Sequence, residues 1–278
     1  MAVPVSSAEF RFGAPDPAGR TFALITGASS GIGEGFARAL AARHENLVLV
    51  ARSVGRLNAL AEDLAAKHGV RVEVIATDLS GPDAAGAIVT ELTLRQIVVS
   101  TLINNAGFGT HGAFADLDGG REREEIFVNV VALVDLTHAL LPAMIARKHG
   151  AIVNVASTAA FQPVPYMATY GATKAFVLSF SEALAEEVRE HGVRVVALCP
   201  GQTTTAFFEG IDEARVGRAR TTEQVVATAL RALERGRVVA VDGFANYALA
   251  NSARFAPRRL VARIAAIIER PSSLKKRR

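Results

Sequence analysis

The feature that most constrains the fold of this chain is a regular alternation of short apolar runs with longer segments of helical pattern. The apolar runs are continuous, which is typical of strands in a parallel sheet covered on both faces. Strands are predicted at Phe22–Thr26, Leu47–Ala51, Val70–Thr77, Val98–Asn104, Ala151–Ser157, Val193–Cys199 and Val238–Asp242. Helices are predicted at Ile32–Arg43, Val54–His68, Pro82–Gln96, Glu122–Arg147, Tyr166–His191 and Thr222–Arg235, with Gly69, Gly150 and Gly192 each ending a helix. This order predicts an α/β fold, a doubly wound parallel sheet of seven strands.

Length and composition favour one large domain. The chain has 278 residues, half of them hydrophobic, which is enough to bury a sizeable core. We expect residues 1–19 to be a flexible lead-in, residues 20–243 to form one domain, and residues 244–278 to form a helical extension with a basic tail. The single cysteine, Cys199, is interpreted as a buried strand residue. No cysteine or histidine spacing suits a metal site.

The sequence carries no pattern typical of export or of a membrane span. The first twenty residues contain Pro4, Pro15 and Pro17 and no apolar stretch after a basic start, unlike a signal peptide. We find no run of about 18 apolar residues, so no membrane-spanning helix is predicted. The cytoplasm is therefore the expected compartment.

Positive charge is concentrated at the C-terminus. From residue 251 onward the net charge is +8, whereas the first 250 residues carry −4. The basic residues there are Arg254, Arg258, Arg259, Arg263, Arg270, Lys275, Lys276, Arg277 and Arg278. The high pI of the chain therefore gives no reason to expect a nucleic-acid partner for the main domain.

A glycine-rich turn follows the first predicted strand and opens the first helix. It reads Thr26-Gly27-Ala28-Ser29-Ser30-Gly31-Ile32-Gly33. Glycines let a pyrophosphate approach the backbone closely, and the helix start offers free N–H groups. A tight strand–helix loop would look the same, and the spacing differs from the usual G-x-G-x-x-G. Its place after the first of seven strands nevertheless favours a dinucleotide site in a Rossmann-type sheet.

The end of the second predicted strand indicates which dinucleotide binds. NAD-selective sites usually place a carboxylate there, but this chain has Arg52, with Arg56 four residues later. A guanidinium suits a 2′-phosphate, and the hydroxyls of Ser29 and Ser30 would add donors. NADP(H) is therefore predicted rather than NAD(H). The alternative is that both arginines are ordinary solvated charges.

Four polar residues form a candidate catalytic group. Tyr170 and Lys174 are four residues apart at the start of a helical pattern, so they share one face. Ser157 ends the preceding strand, and Asn129 lies within the long fourth helix. Each of these residues alone would be interpreted as structural.

Taken together, these motifs resemble the short-chain dehydrogenase/reductase family in its standard-length branch. The matching residues are Thr26–Gly33, Asn104-Asn105-Ala106-Gly107, Asn129, Ser157, Tyr170-Gly171-Ala172-Thr173-Lys174 and Pro200-Gly201. They occur in that family's order and spacing over about residues 20–243. The resemblance implies a hydride transfer between NADP(H) and a carbonyl or alcohol.

The resemblance also implies catalytic roles. Tyr170 would exchange the proton, and the Lys174 ammonium would lower the pKa of its phenol from near ~10 toward the working range. Lys174 would also hold the nicotinamide ribose. Ser157 would hydrogen-bond the reacting oxygen, and Asn129 would anchor a water that links Lys174 to solvent.

Further cofactor contacts are implied at both ends of the dinucleotide. Asp78 would contact the adenine, Asn105 and Ala106 the adenosine ribose, and Thr203 the nicotinamide, with Thr204 or Thr205 as alternatives. The full predicted set is Gly27, Ser29, Ser30, Gly31, Ile32, Gly33, Arg52, Arg56, Asp78, Leu79, Asn105, Ala106, Gly107, Tyr170, Lys174, Pro200, Gly201 and Thr203.

The substrate is expected to be hydrophobic. The segment Thr158–Met167, together with Phe108, Phe207 and Phe208, should face it, and these residues are mostly apolar. We expect a lipophilic ketone, aldehyde or secondary alcohol, although phenylalanines near a sheet are often core residues.

The segment after Gly243 is interpreted as an amphipathic helix. Leu260, Ile264, Ile267 and Ile268 form one apolar stripe. The helix would pack on its own domain or a sister subunit, lie on an anionic membrane surface, or form a solvated tail. The family resemblance suggests a homodimer or homotetramer through the long fourth and fifth helices. A non-catalytic, NADP(H)-binding redox sensor of the same fold is the alternative function.

Overall fold

Seven parallel strands form one sheet in the order β3-β2-β1-β4-β5-β6-β7. The computed structural model describes residues 19–204 and 219–271, apart from the side chain of Arg254. The strands are β1 (Thr21–Thr26), β2 (Asn46–Ala51), β3 (Val72–Ala76), β4 (Val98–Asn104), β5 (Gly150–Val155), β6 (Val193–Cys199) and β7 (Val239–Val241). The predicted doubly wound α/β fold is confirmed.

The helices connect these strands and then extend beyond them. They are α1 (Gly31–Ala41), α2 (Val54–His68), α3 (Ala84–Leu94), α4 (Gly119–Ile126), α5 (Ala132–Ala146), α6 (Ala168–Glu187), α7 (Thr222–Glu234), α8 (Phe244–Ser252) and α9 (Arg258–Glu269). Short 3₁₀ turns lie at Phe114–Asp116, Thr158–Phe161, Arg189–His191 and Ala253–Phe255.

The sheet is buried on both faces, which explains the continuous apolar runs. In β1, Ala23 and Ile25 pack into a core with α1, α2 and α7, whereas Phe22 and Leu24 pack into a second core with α3, α5 and α6. Successive strand residues point to opposite faces, so a strand between two helical layers needs apolar side chains at every position. Cys199 is fully buried in β6, as its apolar neighbours predicted.

The chain reverses direction across the sheet between β1 and β4. Strands β2 and β3 extend from β1 on one side, and β5, β6 and β7 extend from β4 on the other. In open α/β sheets, ligands bind outside the carboxyl ends of the strands where the order switches. The candidate site is therefore expected beside the ends of β1 and β4.

The predicted helix Glu122–Arg147 is interrupted. Between α4 and α5, Phe127–Val131 form a π-helical turn, in which the widened backbone inserts one extra residue. The insertion involves a single residue within a mostly apolar segment, so its shift of the helical pattern is not visible in the sequence. The interruption matters because Asn129 lies within it.

Two other local predictions need correction. Gly69 and Gly192 end helices with left-handed backbone (φ 68° and 70°), as expected. Gly150 instead begins β5, and Lys148 takes the left-handed conformation before it (φ 51°). Ser157 does not end a strand, because β5 stops at Val155 and Ser157 caps the 3₁₀ turn that follows.

The expectation that no helix could span a membrane is also corrected by the structure. The helical segment Gly119–Ala146, which includes α4, the π-helical turn and α5, is long and apolar enough by length and composition to span a membrane. Its residues Ala132, Leu136 and Met144 are buried in the core beside the sheet. These contacts assign it to the α/β domain.

The C-terminal extension forms α8 and α9, and the apolar stripe of α9 is only partly covered by the described part of the chain. Leu260, Ile264, Ile267 and Ile268 are 49%, 50%, 74% and 58% exposed. The domain side of the helix is formed by the small residue Ala265, which is buried. Residues 1–18 and 272–278, the predicted lead-in and the end of the basic tail, lie outside the described residues.

Candidate active site

The glycine turn lies against the end of β4. Gly27 and Gly31 have left-handed backbone (φ 65° and 57°). A Cβ on Gly33 would lie 2.2 Å from the carbonyl oxygen of Gly27. Only glycine allows this approach, so the turn leaves the start of α1 open and presents its N–H groups. Ser29 is half-buried and Ser30 exposed at this helix start.

Asn105 and Ala106 brace this turn from β4. The side-chain nitrogen of Asn105 donates to the carbonyl oxygen of Thr26 (2.8 Å), and the Thr26 hydroxyl accepts from the backbone N–H groups of Asn105 and Ala106 (both 3.0 Å). The amide of Asn105 is therefore used inside the protein. Its predicted place beside the adenosine ribose remains a prediction.

Arg52, Arg56 and Asp78 lie at the outer end of the same edge. Arg52 and Arg56 are exposed after β2, and Leu79 is buried below them. The backbone N–H of Ser80 and the positive charge of Arg52 lower the pKa of Asp78, so this carboxylate stays ionised. The guanidinium of Arg52 and the carboxylate of Asp78 offer opposite charges to one end of a bound ligand.

Tyr170 and Ser157 form the centre of the site. Tyr170 lies in the first turn of α6 and is 9% exposed. The side chains of Ser157 and Tyr170 are hydrogen-bonded, and the Ser157 oxygen also accepts from the backbone N–H of Ala159 (3.1 Å). The two hydroxyl groups can therefore meet one substrate oxygen.

Lys174 lies one helical turn beyond Tyr170. Its Nζ donates to the carbonyl oxygen of Val155 (2.8 Å) and lies 5.8 Å from the centre of the Tyr170 ring. Burial lowers the pKa of Lys174 to about 8, so the ammonium form still predominates at neutral pH.

The predicted lowering of the Tyr170 pKa is wrong for the protein alone. Burial raises that pKa to about 12; the Ser157 hydrogen bond opposes the shift and the charge of Glu125 adds to it. The free energy needed to take a phenolate out of water is larger than the stabilisation that the neighbouring groups provide.

Asn129 is buried inside the π-helical turn and binds the loop after β4. Its Oδ1 accepts from the backbone N–H of Phe108 (3.1 Å), and its Nδ2 donates to the carbonyl oxygen of Phe108 (2.9 Å) and to the Thr173 hydroxyl (3.1 Å). Asn129 thus joins this loop to α6 next to Lys174. Its predicted water contact remains a prediction.

The loop after β4 passes close to the catalytic residues because it contains two glycines. A Cβ on Gly107 would lie 2.9 Å from Asn129 Oδ1 and 3.4 Å from Lys174 Nζ. A Cβ on Gly109 would lie 2.9 Å from the Tyr170 ring. The backbone therefore forms one wall of the site.

The loop after β6 forms the other wall. Pro200 is buried, Gly201 is half-buried, and Thr203 is 5% exposed with its hydroxyl donating to the carbonyl oxygen of Gly201 (3.2 Å). Thr204 is exposed, and Thr205 lies outside the described residues.

Sequence analysis did not identify the ion pair that supports this wall. Arg220 donates to both oxygens of the buried Asp242 (2.8 and 3.1 Å), and the backbone of Arg220 bridges to Thr203. The paired residues are 22 positions apart, so no local pattern indicates the contact.

Two buried carboxylates were also missed. Glu122 and Glu125 in α4 are 8% and 0% exposed, and both accept hydrogen bonds from Thr110 in the loop after β4. Their helix is otherwise highly charged, so its sequence predicts a solvated face. Only the packing of α4 against α6 reveals them as buried.

A cavity of about 280 Å³ lies between the segment that follows Ser157 in the chain and the C-terminal extension. It is lined by Phe161, Gln162, Pro163, Ala253, Ala256, Arg258 and Val261. The predicted substrate segment therefore lines it on one side, and the C-terminal extension on the other. Phe108 instead packs under the guanidinium of Arg121 at 4.0 Å, and Phe207 and Phe208 lie outside the described residues.

The residues at this edge fit a nicotinamide dinucleotide. The turn at Gly27 and Gly33 would be filled by any side chain, and it leaves backbone donors for a pyrophosphate. Arg52 and Asp78 lie at one end of the edge, and Tyr170 and Lys174 at the other. A dinucleotide spanning this edge would bring its reactive ring to Tyr170.

Fold, glycine turn and Ser-Tyr-Lys-Asn group define a short-chain dehydrogenase/reductase, and the chain belongs to this oxidoreductase family. The family described as "short chain dehydrogenase" matches residues 21–216. The chain is 39% identical over 192 residues to a very-long-chain 3-oxoacyl-CoA reductase of Phaeosphaeria nodorum, which covers 67% of this chain and 56% of that protein. The match thus spans little more than half the length of the Phaeosphaeria nodorum protein.

Solved structures show the same similarity. A short-chain dehydrogenase from Sphingobium yanoikuyae in complex with NADPH is 37% identical, with a TM-score of 0.76 over 84% of this chain and 93% of that one. A bulky-bulky ketone specific alcohol dehydrogenase from Comamonas testosteroni is 33% identical, with a TM-score of 0.73 over 85% and 92% of the two chains.

Proposed function

We propose that this protein is an NADP(H)-dependent oxidoreductase that interconverts a lipophilic ketone or aldehyde and its alcohol. The observation that carries the proposal is the hydrogen-bonded Ser157–Tyr170 pair, with the Lys174 ammonium 5.8 Å from the Tyr170 ring, at the edge where the glycine turn opens. A proton donor and a dinucleotide site are what carbonyl reduction requires.

In the reduction direction, Tyr170 gives its hydroxyl proton to the carbonyl oxygen of the substrate, and Ser157 donates a hydrogen bond to the same oxygen. A nicotinamide held beside Tyr170 and Lys174 would supply the hydride for the carbonyl carbon. Lys174 holds the nicotinamide ribose and places a positive charge beside the phenolate that forms. Asn129 holds the loop that positions Lys174. In oxidation the proton moves from the alcohol to Tyr170.

The choice of NADP(H) rests on the charge at the end of β2. Arg52 is exposed there, and no carboxylate occupies the position that would hold ribose hydroxyls. The NADPH bound to the Sphingobium yanoikuyae protein supports the same choice. Arg56, in the first turn of α2, would add a second positive charge.

The proposed substrate class rests on the cavity between the segment that follows Ser157 and the C-terminal extension. Phe161, Pro163 and Val261 form the apolar part of its lining, beside the polar side chains of Gln162 and Arg258. One similar protein is named as specific for bulky ketones, and another is named as a reductase of very-long-chain 3-oxoacyl-CoA. Both names support a lipophilic carbonyl compound as substrate. We therefore expect acyl, steroid-like or aromatic ketones to be better substrates than small charged ones.

Turnover across a panel of ketones and alcohols, with NADPH and NADH compared, tests this proposal. We expect faster reduction of lipophilic ketones with NADPH. Preference for small charged ketones would overturn the substrate class.

Tyr170→Phe removes the proton donor but keeps the ring, so kcat should fall about 10²- to 10⁴-fold. NADPH affinity, measured by fluorescence titration, should stay within about twofold because the phenol oxygen contributes little ground-state binding. The non-catalytic redox sensor remains the alternative function. It would bind NADPH equally well with and without this substitution and show no turnover in either protein.

We also propose that the protein forms a homodimer or homotetramer through the Gly119–Ala146 helix and α6. Only 28% of the most apolar window of that helix is buried in the protomer, and Ile126 and Phe176 are 44% and 42% exposed. A second copy would cover this surface. The cytoplasm remains the proposed compartment.

A further inference from the structure

Two carboxylates, Glu122 and Glu125, lie buried behind the catalytic residues and have no role in the mechanism above. Glu125 is fully buried and Glu122 is 8% exposed. Within residues 19–204 and 219–271, neither forms an ion pair with a basic side chain. Buried carboxylates without a cationic partner are rare, because desolvation disfavours their charge.

Glu125 has one satisfied oxygen and one without a partner. Its Oε2 accepts from the backbone N–H of Thr110 (2.9 Å) and lies 3.0 Å from the Thr110 hydroxyl oxygen, whose single proton points to Glu122. Its Oε1 is buried and meets no hydrogen-bond donor or acceptor in the described part of the chain. With no donor to stabilise this oxygen, the ionised form of Glu125 is poorly compensated, so burial favours the protonated carboxyl.

The carboxylates are linked to the helix that carries the catalytic residues. The hydroxyls of Thr110 and Thr169 both donate to Glu122, and Thr169 immediately precedes Tyr170. Glu125 lies one helical turn before Asn129, so the two share a face of the helix. The negative charge of Glu125 acts on both catalytic side chains. It adds to the burial that raises the pKa of Tyr170, and it opposes the burial that lowers the pKa of Lys174.

We propose that Glu125 is a positioning residue for the reaction, which binds or releases one proton and thereby changes the charge behind Tyr170 and Lys174. It releases that proton to solvent as the pH rises. The resulting negative charge favours the Lys174 ammonium and opposes the Tyr170 phenolate. The proposal rests on the proposed function, because Tyr170 must be the group that exchanges the substrate proton.

The expected pH range follows from the surroundings of Glu125. Burial raises the pKa of Glu125 to about 7; the Thr110 hydrogen bonds and the charge of Lys174 oppose this shift, and Glu122 adds to it. The titratable groups that face it are Glu122 in α4 and Tyr170 and Lys174 in α6. Its ionisation therefore falls within the range in which the enzyme would work.

The pH dependence of alcohol oxidation tests the proposal with Glu125→Gln in the full-length protein. Glutamine keeps an oxygen that accepts from Thr110 but carries no charge. Without the negative charge the pKa of Tyr170 falls, so the alkaline rise of kcat/KM should move to lower pH by roughly one unit. NADP⁺ affinity should stay within about twofold.

Glu124→Gln is the matched control. Glu124 lies next to Glu125 in α4, but its side chain is half-exposed and paired with Arg121 at the surface. It should leave the pH profile unchanged. If the Glu125→Gln and wild-type profiles have the same shape after scaling, Glu125 only holds the Thr110 loop, and the proposal is wrong.

Infrared difference titration provides a readout that needs no turnover. Burial raises the pKa of both Glu125 and Glu45 to about 7, so the titration is done in a Glu45→Gln background. That protein should lose a protonated-carboxyl C=O band as the pH rises through about 7, and this band should persist when Glu124→Gln is added and be missing when Glu125→Gln is added. A Glu45→Gln protein without such a band between pH 5 and 8 would overturn the proposal, whether or not the further variants fold. A titrating band together with no turnover on any substrate would instead overturn the proposed function.

Discussion

At the scale of single residues, Tyr170 lies in surroundings that oppose the charge its role requires. Burial holds its pKa near 12, well above neutral pH. The neutral phenol is the form needed to donate a proton, so reduction starts from the favoured state. In oxidation the phenolate must form, which requires the Lys174 ammonium close by.

Arg52 is the residue on which cofactor choice depends. Arg52→Ala should raise KM for NADPH about 10- to 100-fold, because a hydrogen bond to a charged group is worth about 1.5–3 kcal/mol and each ~1.4 kcal/mol is a factor of ten. KM for NADH should change by less than about twofold, since that cofactor lacks the 2′-phosphate. Steady-state kinetics with both cofactors provide the measurement.

Arg71→Ala is the control for Arg52→Ala. Arg71 is exposed just before β3, at the amino ends of the strands and away from the candidate site, where it pairs with Glu73. It should affect neither cofactor. An equal loss with NADPH and NADH for Arg52→Ala would show that Arg52 does not read the 2′-phosphate.

At the scale of elements, the β1–α1 turn is built on close backbone approach. Gly33→Ala would place a Cβ 2.2 Å from the Gly27 carbonyl oxygen, so the turn must open. Overpacking of this kind costs about 1–3 kcal/mol of folding free energy. We expect lower stability in urea unfolding and at least tenfold weaker NADPH binding.

Gly86→Ala is the matched control for this turn. Gly86 lies inside α3, and a Cβ there would meet no atom within 4 Å. Alanine in a helix interior is favoured over glycine by roughly 0.5–1 kcal/mol, so this variant should be slightly more stable. It should bind NADPH normally. A Gly33→Ala protein that also bound NADPH normally would contradict the proposed pyrophosphate site.

At the scale of the whole molecule, one buried carboxylate should make stability fall as the pH rises. Burial raises the pKa of Glu45 from 4.5 to about 7, against the opposing charge of Arg43. The folded state therefore keeps a proton that the unfolded chain loses, and the free energy of unfolding falls between these pH values. Between pH 5 and pH 8, the free energy of unfolding should fall by about 1–3 kcal/mol less in Glu45→Gln than in the wild-type protein.

Denaturant unfolding at both pH values measures this effect. Glu62→Gln is the control, because Glu62 is exposed in α2 and should leave the pH dependence unchanged. If Glu45→Gln and wild type lose the same stability between pH 5 and pH 8, Glu45 is ionised in the folded protein.

The exposed stripe of α9 should make the assembly of the molecule depend on its C-terminus. The stripe is about half exposed or more, so a sister subunit, an anionic membrane surface or solvent would meet its uncovered part. Removal of residues 255–278 should reduce the oligomeric state in light scattering if a sister subunit covers it. Liposome binding by the full chain that is lost on truncation would favour the membrane, and binding unchanged on truncation would exclude that role.

Much of this molecule was predictable from sequence because its signals are local. Strands buried on both faces need continuous apolar runs, and a phosphate-binding turn needs glycines at close spacing. The element order and the glycine turn follow from such patterns, whereas Ser157, Tyr170 and Lys174 were assigned as catalytic only through the family resemblance. Parallel strands also bring their carboxyl ends to one edge, so the place of the site was predictable.

Only the tertiary structure decided what depends on contacts between distant segments. The π-helical turn around Asn129, the Arg220–Asp242 ion pair, and the burial of Glu125 in a highly charged helix leave no trace in periodicity. The amphipathic pattern of α9 likewise does not show whether its apolar stripe is covered or exposed. Burial and charge state depend on which surfaces meet, and that is set by packing across the whole chain.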